Sequence, residues 1–290
     1  MQMPKNSFFI SILICVLFAF VLIGCGGSPK PATNSLLPGA QPPATAATPP
    51  PPPPPSPSSQ PPLPPPGSPP PNALVVKKIE GMSNWEWCTA TNSHGGECAS
   101  GLGDATSSKT DNQTSPSLDG SSSKFDIGGP TPYSNVLWWR TLTPNDNATH
   151  FVYDLYFYID QADLPEALEF DVNQSFNGTR WVYGTECSYK DTGKWDVWDG
   201  STHKWVTSKV ACPQISSTTW HHLIWQFERV SGQVHYISVT LDTQTYPVDM
   251  YLGAESNFVG EGVDVAFQLD GDSHQNPYSV WLNEVTLSEW

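Results

Sequence analysis

Apolar and polar residues alternate along most of the chain beyond residue 134. The pattern is clearest over residues 150–160, where every second side chain is large and apolar: Phe151, Tyr153, Leu155, Phe157 and Ile159. Because successive side chains of a β-strand point to opposite faces, this alternation predicts a strand with one buried face. Similar patterns predict strands at 135–141, 167–174, 180–188, 194–198, 204–207, 220–230, 234–242, 263–270 and 280–290.

Short turns connect several of these strands, and no convincing helix is predicted. Asp199-Gly200 and Ser231-Gly232 supply turn chemistry. The pattern predicts an all-β fold, a two-sheet antiparallel β-sandwich of the jelly-roll kind. The polar stretch 99–123 is too long for an ordinary turn; its Gly, Ser, Thr and Asp content predicts disorder, and a functional loop is the alternative.

The strand at 167–174 carries the most suggestive polar row. Leu168, Phe170 and Val172 point to one face, and Glu169, Asp171 and Asn173 point to the other. Carboxylates and amides in line on a pleated surface can bind sugar hydroxyls, hold a hard cation or hydrolyse a glycoside. The row is therefore a candidate ligand site, and a merely solvated strand face is the alternative.

The chain begins with an apolar run at 8–23, preceded by Lys5 and followed by Gly24-Cys25. About 16 apolar residues are short for a membrane span, so 1–24 is predicted to be a signal peptide. The ending resembles the lipobox of bacterial lipoproteins, which implies that Cys25 carries lipid; an uncleaved anchor helix is the alternative. Gly26 after that cysteine implies, by the same resemblance, the outer membrane of the cell envelope.

Proline dominates the next segment, 25–73, which we predict to be a disordered Pro-rich linker. Proline fixes φ and removes backbone donors, so its longest runs favour extended polyproline II. Such a tether reaches on the order of 100 Å. A ligand for a proline-recognising groove is the alternative role.

Folded material is predicted at 74–290, about 217 residues, which suits one β domain. All 28 Asp and Glu lie there with 11 of the 13 Lys and Arg, which gives this part a charge near −17. The acidic balance argues against nucleic acid and against anionic membrane surfaces, so a membrane is expected as a partner through the lipid anchor only.

Four cysteines remain in this domain: Cys88, Cys98, Cys187 and Cys212. Outside the cytoplasm they are expected to form disulfides, and three pairings are open. We favour the sequence-local pairs Cys88–Cys98 and Cys187–Cys212. A zinc site is the weaker alternative, because no Cys-x-x-Cys spacing or flanking histidine cluster is present.

The order of elements resembles the concanavalin A-like lectin and glucanase superfamily. The resemblance rests on Glu169-Phe170-Asp171, on the strands 220–225 and 236–242, which resemble laminin G-type domains, on the turn 270–272 and on the last strand. It implies two curved sheets with a carbohydrate-binding concave face. Alternation in 220–230 places Leu223, Trp225 and Phe227 in the core and leaves these side chains opposite: Trp220, His222, Gln226 and Glu228.

The polar strand is similar to the Glu-x-Asp-x-Glu motif of laminarinase-type retaining glycosidases. Glu169 and Asp171 match its nucleophile and supporting Asp, but Asn173 stands where that family has its acid/base. An amide cannot donate and recover a proton near neutral pH. Glu186 or Glu228 could replace it from a neighbouring strand, although nothing in the sequence shows this.

Glu169-Phe170-Asp171 also resembles the metal strand of legume lectins, where the acids bind manganese and calcium. The downstream spacing of that family is not reproduced. We predict no cofactor, and calcium at this strand is the alternative.

Tryptophan usage is the other signal, because flat sugar rings stack on indole faces. Trp139 and Trp225 lie on apolar faces and are assigned to packing. The ligand candidates lie near charged residues and turns: Trp181, Tyr183, Trp195 and Trp198.

These observations predict a lipid-anchored, non-catalytic module that binds a polysaccharide or other glycan. A glycoside hydrolase or polysaccharide lyase with unassigned catalytic groups is the first alternative. A purely structural envelope protein is the second.

Overall fold

The structure, a computed structural model, describes residues 69–90, 93–94 and 103–290. It contains eighteen labelled strands and one 3-10 turn at Ile79–Gly81 in this part of the chain. The strands are β1 Leu74–Lys77, β2 Glu86–Cys88, β3 Ser93–His94, β4 Thr106–Gln113, β5 Ser122–Gly128, β6 Asn135–Leu142, β7 His150–Ile159, β8 Pro165–Phe176, β9 Thr179–Tyr183, β10 Thr185–Ser188, β11 Lys194–Asp199, β12 Lys204–Ala211, β13 Trp220–Val230, β14 Gln233–Leu241, β15 Gln244–Gly253, β16 Glu255–Ser256, β17 Gly262–Gly271 and β18 Tyr278–Glu289. Within these residues no helix has the length and apolar character needed to span a membrane.

The strands form two antiparallel sheets, which confirms the predicted sandwich. Sheet 1 has the order β15-β14-β13-β7-β18-β5-β4, and β1 also pairs with β18. Sheet 2 has the order β12-β11-β10-β8-β17-β6-β2-β3. Strand β9 pairs with the second half of β8, and β16 extends the sheet beyond β9.

The core lies between the inner faces of the two sheets and is dominated by aromatic side chains. Its largest fully buried members come from both sheets: Trp138, Trp195, Trp225, Tyr153, Tyr183, Tyr236, Phe125, Phe151, Phe157, Phe170, Phe227 and Phe267. Trp195 of sheet 2 meets Trp225 of sheet 1 edge-on, with ring centroids 5.2 Å apart. The predicted core residues Leu223, Trp225 and Phe227 are confirmed, since none is more than 1% exposed.

Several strands were not predicted from the sequence, and the three longest are β4, β5 and β15. The stretch 99–123, predicted to be disordered, contains β4 and the start of β5. β4 is an edge strand of Thr, Ser, Lys, Asp, Asn and Gln with alternating exposure, so no apolar face marks it in the sequence. β15 was also missed; it is the opposite edge strand of the same sheet, contains Pro247, and has no buried residue.

A disulfide joins Cys187 of β10 to Cys212, with the two Cα atoms 5.6 Å apart, which confirms one favoured pair. Cys88 is buried at the end of β2. Cys98, the predicted signal peptide, the lipidation residue Cys25 and the linker up to residue 68 lie outside the described residues.

Candidate functional site

The outer face of sheet 2 carries a row of directly paired side chains that crosses six strands and is polar on five of them. Directly paired residues of antiparallel strands lie on the same face, so the register places one side chain per strand in line: Leu137, Gln268, Glu169, Glu186, Asp196 and Thr207. Asp171 and Asn173 follow Glu169 on the same face of β8. The three polar residues predicted from the sequence are therefore together, as part of a larger set.

These outward side chains are withdrawn from solvent. Glu169 and Asp171 are each 8% exposed, and Asn173, Asp196 and Gln268 are each 5% exposed. Polar residues on a bare outer face would be mostly solvated. The row therefore forms the floor of a recess, which we call the acidic floor and define as Glu169, Asp171, Asn173, Glu186, Asp196, Gln268 and Asp270.

A break in the sheet edge positions Asp171. Beside β8 the pairing passes from β9 to β10, and Gly184 lies between them. A Cβ at Gly184 would stand 2.9 Å from the Cβ of Trp198, so a larger residue would push these strands apart. The break leaves the backbone N–H of Thr185 free to donate to Asp171 Oδ1 at 2.9 Å, while the Thr185 hydroxyl donates to the Phe170 carbonyl at 2.6 Å.

Gln268 links two other acids of the floor. Its side-chain amide donates to Glu169 Oε1 and, at 3.0 Å, to Asp270 Oδ1. Gln268 is thus held between the two carboxyl groups by its own hydrogen bonds. The Glu186 side chain lies between acids, with Glu169 on one side and Asp196 on the other.

Burial and mutual repulsion keep protons on these acids. Burial raises the pKa of Glu169 well above its usual range, and Asp270, Asp171 and Glu186 raise it further. The pKa of Glu186 rises to about 8, first from burial and then from its acidic neighbours. Burial raises the pKa values of Asp171 and Asp270 to about 7, against hydrogen bonds from Thr185 to Asp171 and from Asn135 and Gln268 to Asp270. Part of the floor is therefore protonated at neutral pH.

Asn173 leaves an acceptor unused within this recess. It pairs with Val182 of β9 and Asp264 of β17, and its Oδ1 atom has no hydrogen-bond partner. A buried carbonyl oxygen without a donor costs about 1–3 kcal/mol. The oxygen itself is covered, so a ligand must displace neighbouring side chains to bring an N–H or O–H group to it, and the new hydrogen bond would then recover that free energy.

Half-buried tryptophans flank the acidic floor on both sides. Trp139 of β6 pairs with Ala266, which pairs with Asp171, so the indole lies across a small residue from the acids. On the other side Trp198 and Trp205 pair across β11 and β12, with ring centroids 5.2 Å apart. At about 4.8 Å per strand, the four steps from β6 to β11 span about 19 Å. The arrangement is a polar trough between two aromatic walls.

Three of the predicted tryptophan and tyrosine ligands are core residues instead. Trp181, Tyr183 and Trp195 are 7%, 0% and 1% exposed and belong to the cluster between the sheets. The Trp181 indole stacks on Phe176 and donates to the Gly232 carbonyl at 3.2 Å. Nearby charges suggested exposure for these rings, but the parity of the pleat turns them inward; Trp198 alone of this group faces the trough.

Three other predicted residues lie on the opposite side of the sandwich. His222, Gln226 and Glu228 are on the outer face of sheet 1, as alternation predicted, so they do not share a site with Glu169. His222 lies in an open depression of about 420 Å³ and bonds Asp154 at 2.7 Å. Glu228 contacts His235 at 2.7 Å and His150 at 3.1 Å.

Sequence reasoning missed several members of the trough. Trp139 was assigned to packing, but Trp138 is the buried partner of Phe267 and Trp139 faces outward. Asp196, Gln268 and Asp270 were not singled out. Their strands alternate cleanly, but alternation within one strand does not show which polar side chains meet across strands.

No group of three or more His, Cys, Asp or Glu side chains within the described ranges is arranged to hold a metal ion. The acids of the floor follow the strand spacing and point toward a common recess. The residues that calcium would use, if it binds here, are Glu169 and Asp171 with the Asn173 oxygen, since these are hard oxygen ligands.

No protein-family model and no curated protein matches the sequence. Among solved structures the chain is similar to a cellulose-induced protein, Cip1, with TM-score 0.44 and 12% identity over 73% of this chain and 96% of that one. It is similar to an endo-β-1,4-glucuronan lyase from the fungus Trichoderma reesei, with TM-score 0.40 and 14% identity over 71% and 94%. A family 11 carbohydrate-binding module from Clostridium thermocellum, in complex with a β-1,3-1,4-mixed-linked tetrasaccharide, gives TM-score 0.34 and 12% identity over 74% and 94%.

Proposed function

We propose that the trough on sheet 2 binds a polysaccharide chain without cleaving it. The observation that carries the proposal is the polar recess between Trp139 and the Trp198–Trp205 pair. Indole faces stack on the apolar faces of sugar rings, and carboxyl and amide groups bond the hydroxyls between them. An open strand surface admits a chain from both ends, which suits a polymer.

The test is affinity electrophoresis and calorimetry with a panel of soluble polysaccharides. Trp198→Ala and Trp139→Ala should each weaken binding about tenfold or more, equivalent to about 1.4 kcal/mol. Trp220→Ala is the matched control, because Trp220 is a half-buried tryptophan on the outer face of sheet 1 that packs on Tyr158. Loss of binding in Trp220→Ala but not in Trp198→Ala would place the glycan site on sheet 1 and refute the proposal. Failure to bind any glycan would refute it as well.

One observation favours glycoside hydrolysis as a second candidate. The register places Glu186 directly opposite Glu169, and the raised pKa of Glu186, about 8, keeps a proton available near neutral pH. Glu186 can therefore supply the acid that Asn173 cannot. Release of reducing ends by the wild type, lost in Glu186→Gln while glycan binding persists, would favour this candidate over a binding module.

The N-terminal segments complete the proposal. We propose that Cys25 is lipidated and that the Pro-rich segment holds the module away from the membrane. Cys25→Ser should move the protein from the membrane fraction to the soluble fraction. A variant that stays membrane-bound would refute the lipid anchor and leave the glycan site untouched.

A further inference from the structure

The acids of the floor face one another rather than cations. Glu169 and Glu186 are direct cross-strand neighbours, and Asp196 is the next residue in the same row. Like charges placed directly opposite each other on a sheet are destabilising. Burial raises the pKa of Asp171, and Arg180 on β9 opposes that rise, so this end of the floor has a nearby cation. The end at Glu186 has Asp270, Asp196, Asp171 and Asp191 around it instead.

From the acid row, the unbonded Asn173 oxygen and the flanking tryptophans, we infer that the trough selects glycans that carry free amino groups. This inference rests on the proposed function. An ammonium group on a sugar ring donates hydrogen bonds to carboxylates and to a carbonyl oxygen, while the ring itself stacks on indole. Polyuronates are disfavoured, because their carboxylates cannot neutralise the floor and would repel every acid of it that is ionised.

The Asn173 oxygen is an independent reason to expect a donor. Asn173 is 5% exposed and its Oδ1 atom has no partner, although it lies on the same strand face as Glu169 and Asp171. A neutral hydroxyl could satisfy this one acceptor. An amine satisfies it and also neutralises the adjacent acids, and hydrogen bonds that involve a charged group are stronger than those between neutral groups.

The experiment compares two ligands with the same sugar backbone, a β-1,4-linked glucosamine hexamer and the same hexamer fully N-acetylated, in which each charged amine is replaced by a neutral acetamide. At pH 6 and low salt, calorimetry should show about tenfold or more tighter binding of the free amine. Glu186→Gln and Glu169→Gln should each reduce the ratio of the two affinities toward one. Asp154→Asn is the matched control, because Asp154 is an acid on the outer face of sheet 1, and it should keep the full ratio.

Proton release supplies a second readout. Because an ammonium favours the charged carboxylates, binding of the amine hexamer should release protons from the floor, and the acetylated hexamer should release fewer. The heat of binding measured in two buffers of different ionisation enthalpy reports this number. Glu186→Gln should lower it.

The outcomes separate the two proposals. Equal affinity for both hexamers, lost in Trp198→Ala, would overturn the charge selectivity and leave the glycan site standing. A ratio that survives in both Gln variants would also overturn it. Binding of polylysine as tight as that of the amine hexamer, and insensitive to Trp198→Ala, would show a general cation-binding surface and refute the inference. Failure to bind any glycan would overturn both proposals.

Discussion

Acidic side chains on the two outer faces of the sandwich have different neighbours. On sheet 1 the acids have basic partners: Asp154 bonds His222 at 2.7 Å, and Lys124 contacts Asp126 at 2.6 Å. On sheet 2 Glu169 and Glu186 lie opposite each other. Both faces have the same alternating pattern, so the difference arises from which strands are neighbours.

This difference indicates where a ligand is needed. Asp154 and Asp126 on sheet 1 already have side-chain partners, and a ligand that bound them would have to displace His222 or Lys124. The acids of sheet 2 are buried, repel one another and keep raised pKa values. Buried like charges are destabilising unless something neutralises them. The face whose groups are not satisfied within the protein is the one that a donor-rich ligand would stabilise.

The largest expected effect is a loss of stability, and it distinguishes side chains of the core from those on the outer faces. Trp195→Ala removes an indole that is 1% exposed and packs edge-on against Trp225, so it should lower the free energy of unfolding by about 3–5 kcal/mol. That corresponds to a fall in Tm of about 6–20 °C for a domain of this size. Trp198→Ala, on the same strand but facing the trough, should cost far less stability and mainly weaken glycan binding. Equal thermal shifts in the two variants would contradict the assigned parity of β11.

The second effect tests whether the acidic edge of sheet 2 is held by its disulfide. Cys187–Cys212 closes a loop with a sequence separation of 25, for which chain entropy predicts about 3–4 kcal/mol. Cys187→Ala with Cys212→Ala should therefore lower Tm. Hydrogen exchange should increase most in β10–β12, since these strands lie within or beside the loop. Uniform loss of protection in β13–β15 as well would mean that the two sheets unfold together from this point.

Both predictions depend on which strands are neighbours and which side chains face inward, and the sequence predicts these for some strands better than for others. The fold class and most central strands could be predicted, because strands with one buried face, such as β7, alternate strongly. The edge strands β4 and β15 could not, because an edge that packs little in the core needs no apolar face. An alternating apolar pattern thus predicts a strand with a buried face, but a segment without that pattern can still form an edge strand.

The candidate site could be predicted only as far as one strand. Glu169, Asp171 and Asn173 are recognisable because they alternate with Leu168, Phe170 and Val172 on one segment. Their neighbours Gln268 and Glu186 come from strands about 99 and 17 residues away in sequence, and only the register brings them together. Adjacent tryptophans are harder still: Trp138 and Trp139 point to opposite faces, and nothing local shows which of them is buried.

The third expected effect is a dependence of the free energy of unfolding on pH, caused by the acids on the outer face of sheet 2. Acids with raised pKa values hold protons in the folded state that the unfolded state has lost, so stability falls as pH rises from the ordinary value of 4.5 to about 8 for Glu186. Asp171 and Asp270 act in the same direction up to about 7. Asp119, whose pKa Lys78 lowers to about 2, acts oppositely below about pH 4. Tm should therefore be highest near pH 4–5 and decline toward pH 8.

Glu186→Gln should flatten this decline, because it removes one repelling charge and preserves shape. At pH 8 the variant should be more stable than the wild type; relief of about 1 kcal/mol corresponds to about 2–4 °C. At pH 5 the two proteins should melt alike. A variant that is less stable than the wild type at pH 8 would show that Glu186 is charged and stabilised by a partner. The acids of sheet 2 would then resemble those of sheet 1.

The smallest effect belongs to the paired acids of sheet 1. Asp154 and His222 have side chains that are 40% and 28% exposed, and even an ion pair so open to solvent typically contributes only about 0.2–1 kcal/mol, so their hydrogen bond contributes no more than this. His222 also stacks on Tyr156 with ring centroids 4.2 Å apart, which adds about 0.5–1 kcal/mol. His222→Ala should thus lower Tm by only a few degrees, and a double-mutant cycle with Asp154→Ala should give a coupling within the ion-pair range. Glycan affinity should stay at the wild-type value in both single variants, because sheet 1 lies on the other side of the core from the trough. Loss of glycan binding in His222→Ala would move the site to sheet 1 and reverse the assignment of the two faces.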